Sequence, residues 1–471
     1  MVFSSQVFLF YFLPVALLCY YALPQRARNG FFALISYAFY AWANPWFVLL
    51  MFGSTALDWF CGLALDAPGA SSSKRKWAVT ISVVANLTLL GFFKYFMFAQ
   101  ENVNRLLDFL GTDSLGTLEI VLPVGISFYT FQSMSYTIDL YRRTTKRAES
   151  FTDFACYVSM FPQLVAGPIV RYSDVAAQLV NRPQRGELFQ QGAIYFMVGM
   201  AKKVLIANTL GEVSDLVMTT GPTPVHVAWY GTCAHAFQYY FDFSGYSDMA
   251  IGLGMMFGFS LPANFRDPYR ALSMTDLWGR WHISLSGWLR DYLYIPLGGN
   301  RRGNLVTYRN LLITMLLGGL WHGSEWTFLI WGACHGLLLL YERLAGENSL
   351  YAKLPKPLCQ LRSYLTFALL FILFPAEDLE AAWTMFQSLF IGVNASGGTE
   401  AAGAMLAARV YQPLYLFVMT VSVAIVWGAP ASYCDRAQRS VPLTVLTFAF
   451  FIVSVVALFS QESNPFLYFR F

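Results

Sequence analysis

The chain has 471 residues, 56% hydrophobic, 17% aromatic and only 12% charged, where soluble domains carry roughly one-quarter charged residues. That composition excludes a soluble globular enzyme, and a formal net charge of +4 leaves no excess of base that calls for a nucleic-acid partner. Apolar runs long enough for a hydrocarbon core of about 30 Å recur from residue 7 to residue 460, on the order of ten to twelve of them, some interrupted. No long polar segment stands between them, so the sequence predicts an all-α polytopic membrane protein with one membrane domain over residues 1–471.

Val7 to Leu23 is the first expected span. Base follows it (Arg26, Arg28) rather than preceding it, which predicts a retained helix with its N-terminus outside. The next apolar region, Phe31 to Leu65, is broken at Asn44-Pro45 and reads as two short helices. A loop is expected over Ala67 to Lys76, an outward span over Trp77 to Ala99, and a return over Ile120 to Ile138 despite Pro123 and Gly125. Basic loops at 24–30, 71–77, 141–147 and 266–309 alternate with acidic or neutral ones, which puts the basic set on the cytoplasmic side.

Residues 151–175, FTDFACYVSMFPQLVAGPIVRYSDV, lie between basic loops at 141–147 and 171–185, so the segment should enter and leave by one face. Pro162, Gly167 and Pro168 supply the breaks of a re-entrant hairpin, tolerated at membrane depth where protein or a cavity surrounds it; a kinked single span is the alternative. Further spans are expected over Gly192 to Leu210 and Val227 to Phe259. The second carries Asp242 and Asp248, which should avoid lipid. The remaining spans, about 364–374, 382–393, 411–427 and 441–459, read as scaffold, with the C-terminus outside.

The core motif region is 261–341. From Leu261 to Arg309 every basic side chain other than His282 is arginine: Arg266, Arg270, Arg280, Arg290, Arg301, Arg302 and Arg309. A guanidinium fork grips phosphate bidentately and stacks on aromatics, so these side chains either meet an anionic donor or anchor short helices at lipid headgroups. Eleven residues, Asn310 to Leu320, then lead to Trp321-His322-Gly323, which at 1.5 Å per residue places His322 roughly 16 Å into the membrane. An imidazole there is expected to be neutral and able to take a proton, as a general base must; a satisfied structural hydrogen bond is the competing explanation. His226, His235 and His335 read as structural. Seven scattered cysteines give neither a disulfide framework nor a metal site, and the motifs of serine hydrolases, zincins, P-loop ATPases and Rossmann enzymes are absent.

The runs DLWGRWHISLSGWLRDYLYIPLGG at 276–299, LLGGLWHG at 316–323 and FPQLVAGPIVR at 161–171 resemble the membrane-bound O-acyltransferase (MBOAT) family. The opening MVFSSQVFLFYFLP and closing NPFLYFRF resemble its bacterial exopolysaccharide branch, which acetylates alginate or cellulose. The resemblance implies a single MBOAT domain around a central tunnel and acetyl-CoA, or another cytoplasmic donor, as acyl source. It puts the catalytic histidine on His322, which would activate the acceptor or accept the acetyl itself as a nucleophile, and the second motif position on His282. Trp321 and Gly323 would shape the narrow point, His282 and Asp291 would support the donor side, and Trp281, Arg266, Arg270, Arg280 and Arg290 would join in binding substrate or donor. It also implies residence in the bacterial inner membrane, among membrane lipids, with periplasmic SGNH-type acetylation proteins and a polysaccharide synthase complex as partners. A polysaccharide or lipid channel or flippase, dependent on Asp242 and Asp248, is the alternative outside the family; teichoic acid, lipid or protein as acceptor is the alternative within it.

Overall fold

A computed structural model of the chain describes residues 2–182, 186–346, 354–391, 399–429, 433–460 and 467. The end of the expected span 382–393, residues 183–185 of the second basic loop and all of the closing segment from Asn464 except Leu467 lie outside the described residues. The described residues are helical with irregular connections, and their Cα packing divides into two compact units, residues 1–193 with 250–262 and residues 194–249 with 263–471.

The first unit begins with α1 (Phe8–Ala22), α2 (Gln25–Ala41) and α3 (Phe47–Asp66), α2 and α3 being parted at Asn44-Pro45 as the sequence predicts. The Asn44 side chain accepts from the Trp46 N–H at 3.0 Å and closes that turn. Next comes α4 (Ser72–Phe109), 38 residues and about 57 Å long. The expected loop over Ala67 to Lys76 is therefore too long: Ser71 caps α4 by accepting from the Lys74 N–H, so Lys74, Arg75 and Lys76 already lie on its first turns. The Arg75 guanidinium donates to the carbonyls of Leu65, Leu140 and Tyr141, which sit at or beside the ends of α3 and α5 (Ile126–Arg142). The return span likewise starts six residues later than expected. Gly125 takes a left-handed φ of 76° before α5, and a Cβ there would come within 2.5 Å of the Leu164 carbonyl oxygen.

Residues 151–175 form no continuous span. They contain α6 (Phe151–Ser159), α7 (Phe161–Leu164) and the start of α8 (Tyr172–Val180), and every residue from 154 to 170 is buried. Broken backbone enclosed by protein is the form the hairpin reading requires. Elsewhere in this unit Asp58 of α3 is fully buried and joins three helices, accepting from Ser82 Oγ at 2.6 Å and Asn86 Nδ2 at 2.8 Å on α4 and from the Ser133 hydroxyl on α5.

The second unit takes α9 (Gly186–Met218) from Ile194 onward and α10 (Val225–Met256) up to Met249. A Cβ on Gly199 would lie 2.5 Å from the Gly245 carbonyl oxygen, so small residues set the spacing of this pair. Lys202 and Lys203 then reach Asp248 and Asp242, each at 2.6 Å. Both aspartates are thus turned inward, as expected of carboxylates in apolar helices. After α10 come α11 (Met274–Trp278), α12 (Ile283–Leu289), α13 (Asn304–His322) and α14 (Trp326–Ala345). Scaffold helices follow: α15 (Lys356–Phe371), α16 (Leu379–Phe390), α17 (Thr399–Val410), α18 (Pro413–Gly428), α19 (Tyr433–Gln438) and α20 (Val441–Ser460).

The approach to His322 is longer than the 11 residues expected. Helix α13 has 19 residues, about 28 Å, because Arg309 lies within the helix and donates to Leu297 O and its neighbour Asn310 rather than marking its start. Among the described residues five helices are long and apolar enough to cross a membrane, α3, α4, α9, α14 and α20; a sixth span results if residues 403–428, bent by 61°, count as one. The other apolar runs of the sequence resolve into helices that are shorter, broken or threaded with polar residues.

Candidate active site

Helices α13 and α14 form a tight hairpin that fixes His322. Gly319 faces the Phe328 carbonyl and Gly332 faces the Met315 carbonyl so closely that a Cβ on either would overlap it. Gly323, directly after His322, has the Phe328 ring where a side chain would stand. The helix therefore ends at His322 and turns at once. His322 is buried, at 7% exposure, among Trp321, Trp331 and Phe374, with ring centroids at 5.1, 5.2 and 5.4 Å.

His282 approaches from another element. It precedes α12 with a left-handed φ of 43°, and the backbone on either side is pinned: Arg266 N–H donates to Arg280 O and Ile283 N–H to Asn264 O, both at 2.9 Å. Glu342 of α14 accepts from the Met274 and Thr275 N–H groups at 2.7 and 2.9 Å, which ties α11 to the hairpin. The His282 ring then lies 6.3 Å from that of His322 and 5.8 Å from Trp321, edge-on to Phe243 at 4.7 Å. Two imidazoles from separate segments share one aromatic enclosure, a setting in which a proton and a carbonyl could be handled away from bulk water.

Of the other residues singled out in the sequence, Trp281 belongs to the same aromatic cluster, against Phe367 at 4.9 Å and Phe371 at 5.5 Å. The arginines separate. Arg270 is held by the carbonyls of Val426 and Ala429, Arg280 pairs with Asp276 at 2.7 Å, and Arg290 pairs with Asp291 at 2.7 Å. Arg266, Arg301 and Arg302 are exposed. No group of three or more His, Cys, Asp or Glu side chains that could hold a metal occurs among the described residues.

The profile of the membrane-bound O-acyltransferase family matches residues 146–349, which take in both histidines. The probable alginate O-acetylase AlgI of Pseudomonas aeruginosa is 46% identical over 83% of this chain and 75% of its own length. The corresponding protein of Azotobacter vinelandii is 40% identical over the whole of both chains. The chain belongs to the MBOAT family. It is an O-acyltransferase and a multi-pass protein of the inner membrane, not a channel or flippase without chemistry. The peptidoglycan O-acetyltransferase of Helicobacter pylori is also similar, 36% identical over 84% of this chain and 80% of its own.

Within this MBOAT chain, sequence reasoning missed several residues of the enclosure. Asn264, fully buried, accepts from Ser284 and contacts the His282 ring; its signal was a lone amide in the apolar run LPANF. Trp331 lies at helical spacing from His335, which the sequence reads as structural, their rings 4.5 Å apart, and Trp278 Nε1–H donates to His335 Nδ1 at 3.3 Å. The lysine partners of Asp242 and Asp248 were visible as Lys202-Lys203 inside an apolar span.

Proposed function

We propose that this enzyme moves an acetyl group from acetyl-CoA on the cytoplasmic side toward an extracytoplasmic hydroxyl, for O-acetylation of an exopolysaccharide of the alginate or cellulose type. The observation that carries the reading is the enclosure of His322 at the end of α13, facing His282 across 6.3 Å within a wall of tryptophan and phenylalanine. The activities for which the similar proteins are named, alginate and peptidoglycan O-acetylation, support an acetyl group as the cargo and a sugar hydroxyl as its destination.

In the proposed step His322 takes the proton of the acceptor hydroxyl as its oxygen attacks the thioester carbonyl. A C–O bond forms, the C–S bond breaks, and the departing thiolate receives a proton, giving the ester and free CoA. General-base assistance of this kind is worth about 10²- to 10⁴-fold. His322 stands in the last turn of α13, the end at which the helix dipole favours a positive charge developing on the ring. His282 supports the donor side; Trp281, Trp321 and Gly323 keep the passage narrow. Arg266, Arg301 and Arg302, exposed on the segment read as cytoplasmic, supply the electrostatic attraction for the donor's phosphates, while Arg270, Arg280 and the Arg290–Asp291 pair stiffen it. Periplasmic SGNH-type acetyltransferases and the polysaccharide synthase complex are the proposed partners that complete delivery.

The test is reconstitution of purified protein in lipid nanodiscs with [14C]acetyl-CoA and a periplasmic acetyltransferase of the same cell. Label is expected on the partner or its polysaccharide, with an equal amount of CoA released. Label that reaches only teichoic acid, lipid or a protein other than that acetyltransferase would overturn the substrate assignment.

A further inference from the structure

We propose that Asn264 is a positioning residue that holds His282 in one tautomer, proton on Nδ1 and lone pair on Nε2, and so determines which ring atom exchanges protons during transfer. The proposal rests on the reading of His282 as a member of the transfer site.

The hydrogen-bond network assigns the amide from both ends. The Ser284 N–H, 3.3 Å from Asn264 Oδ1, can only donate, so the side-chain atom facing it is the oxygen. Ser284 Oγ donates to the same oxygen at 2.9 Å, and Asn264 Nδ2 donates to Ser247 Oγ on α10 at 3.1 Å. Asn264 Oδ1 is thus an acceptor, and His282 Nδ1, 3.2 Å away, carries the hydrogen. In a neutral imidazole the second nitrogen then holds the lone pair.

The backbone supports the same arrangement. Asn264 O accepts from the Ile283 N–H at 2.9 Å, so one residue holds positions 282, 283 and 284 and stabilises the left-handed conformation of His282. The ring also lies edge-on to Phe243 at 4.7 Å and beside Trp321 at 5.8 Å. The Asn264 oxygen places the hydrogen on Nδ1.

The experiment measures acetyl transfer from [14C]acetyl-CoA by the full-length protein in nanodiscs, with protein recovery followed by fluorescence size-exclusion. Asn264→Ala is expected to lower kcat about 10²-fold while KM for acetyl-CoA moves less than about threefold. Asn264→Asp keeps an oxygen acceptor toward Nδ1 and is expected to retain at least about one-third of the rate. In a His282→Ala background, Asn264→Ala should cost nothing further. Should Asn264→Ala fail to accumulate, Ser247→Ala releases the amide at its other end and is expected to slow transfer about tenfold, again only while His282 is present. Equal damage from Asn264→Ala and Asn264→Asp, or losses additive with His282→Ala, would overturn the proposal. Full activity of His282→Ala would instead overturn the placing of His282 in the site.

Discussion

The two compact units keep carboxylates out of lipid by different means. In the first, Asp58 is surrounded by uncharged donors, Ser82, Asn86 and Ser133, drawn from the two helices packed on its own. In the second, Asp242 meets a full charge, Lys203 at 2.6 Å, and also accepts from the backbone N–H of Leu467 at 2.9 Å, while Asp248 meets Lys202. A shell of hydroxyls can rotate to suit a changed partner. An ion pair cannot, because removing one member leaves a buried charge. The second unit, which houses the histidine pair, is therefore the one whose polar core tolerates substitution least.

The largest expected effect is that of Lys203→Met, which strands Asp242 and should destabilise the protein by about 3–5 kcal/mol, seen as a lower midpoint of thermal denaturation in detergent. Adding Asp242→Leu should recover most of that loss; a double variant as unstable as the single would show that the carboxylate serves more than its lysine. Asp58→Asn comes next, at ~1–3 kcal/mol, because an amide turns a donor toward donors that can partly reorient. If it equalled Lys203→Met, the contrast between the units would vanish. Ser71→Ala, which removes only the cap of α4, should cost ~1 kcal/mol and leave acetyl transfer unchanged, setting the baseline for a change remote from either polar core.

Those buried pairs also mark how far the sequence could be read. Composition and hydropathy sufficed for an all-α membrane protein, and the tryptophan–histidine runs sufficed for the family, because both are local properties of the chain. The break at Asn44-Pro45 was legible for the same reason. Boundaries depart from the sequence pattern where a side chain acts across space. Arg75 reaches back to carbonyls of α3 and α5 from within α4, and Arg309 lies inside α13 and not at its start. At Pro123 the apolar run continues but the helix begins only after it, because proline cannot enter a helix interior. At Asn264 the local signal, one amide in an apolar run, marks a buried polar side chain but not its function, which depends on Ser247, His282 and Ser284 converging on it once the chain has folded.

The measurement that bears most directly on the account is acetylation of the cell's exopolysaccharide by a strain whose only copy of this protein carries His322→Ala. No acetyl esters are expected on the polymer, with the variant present in the inner membrane at the normal level and unchanged in thermal stability. Acetylation at the ordinary level would contradict it and return His322 to the scaffold.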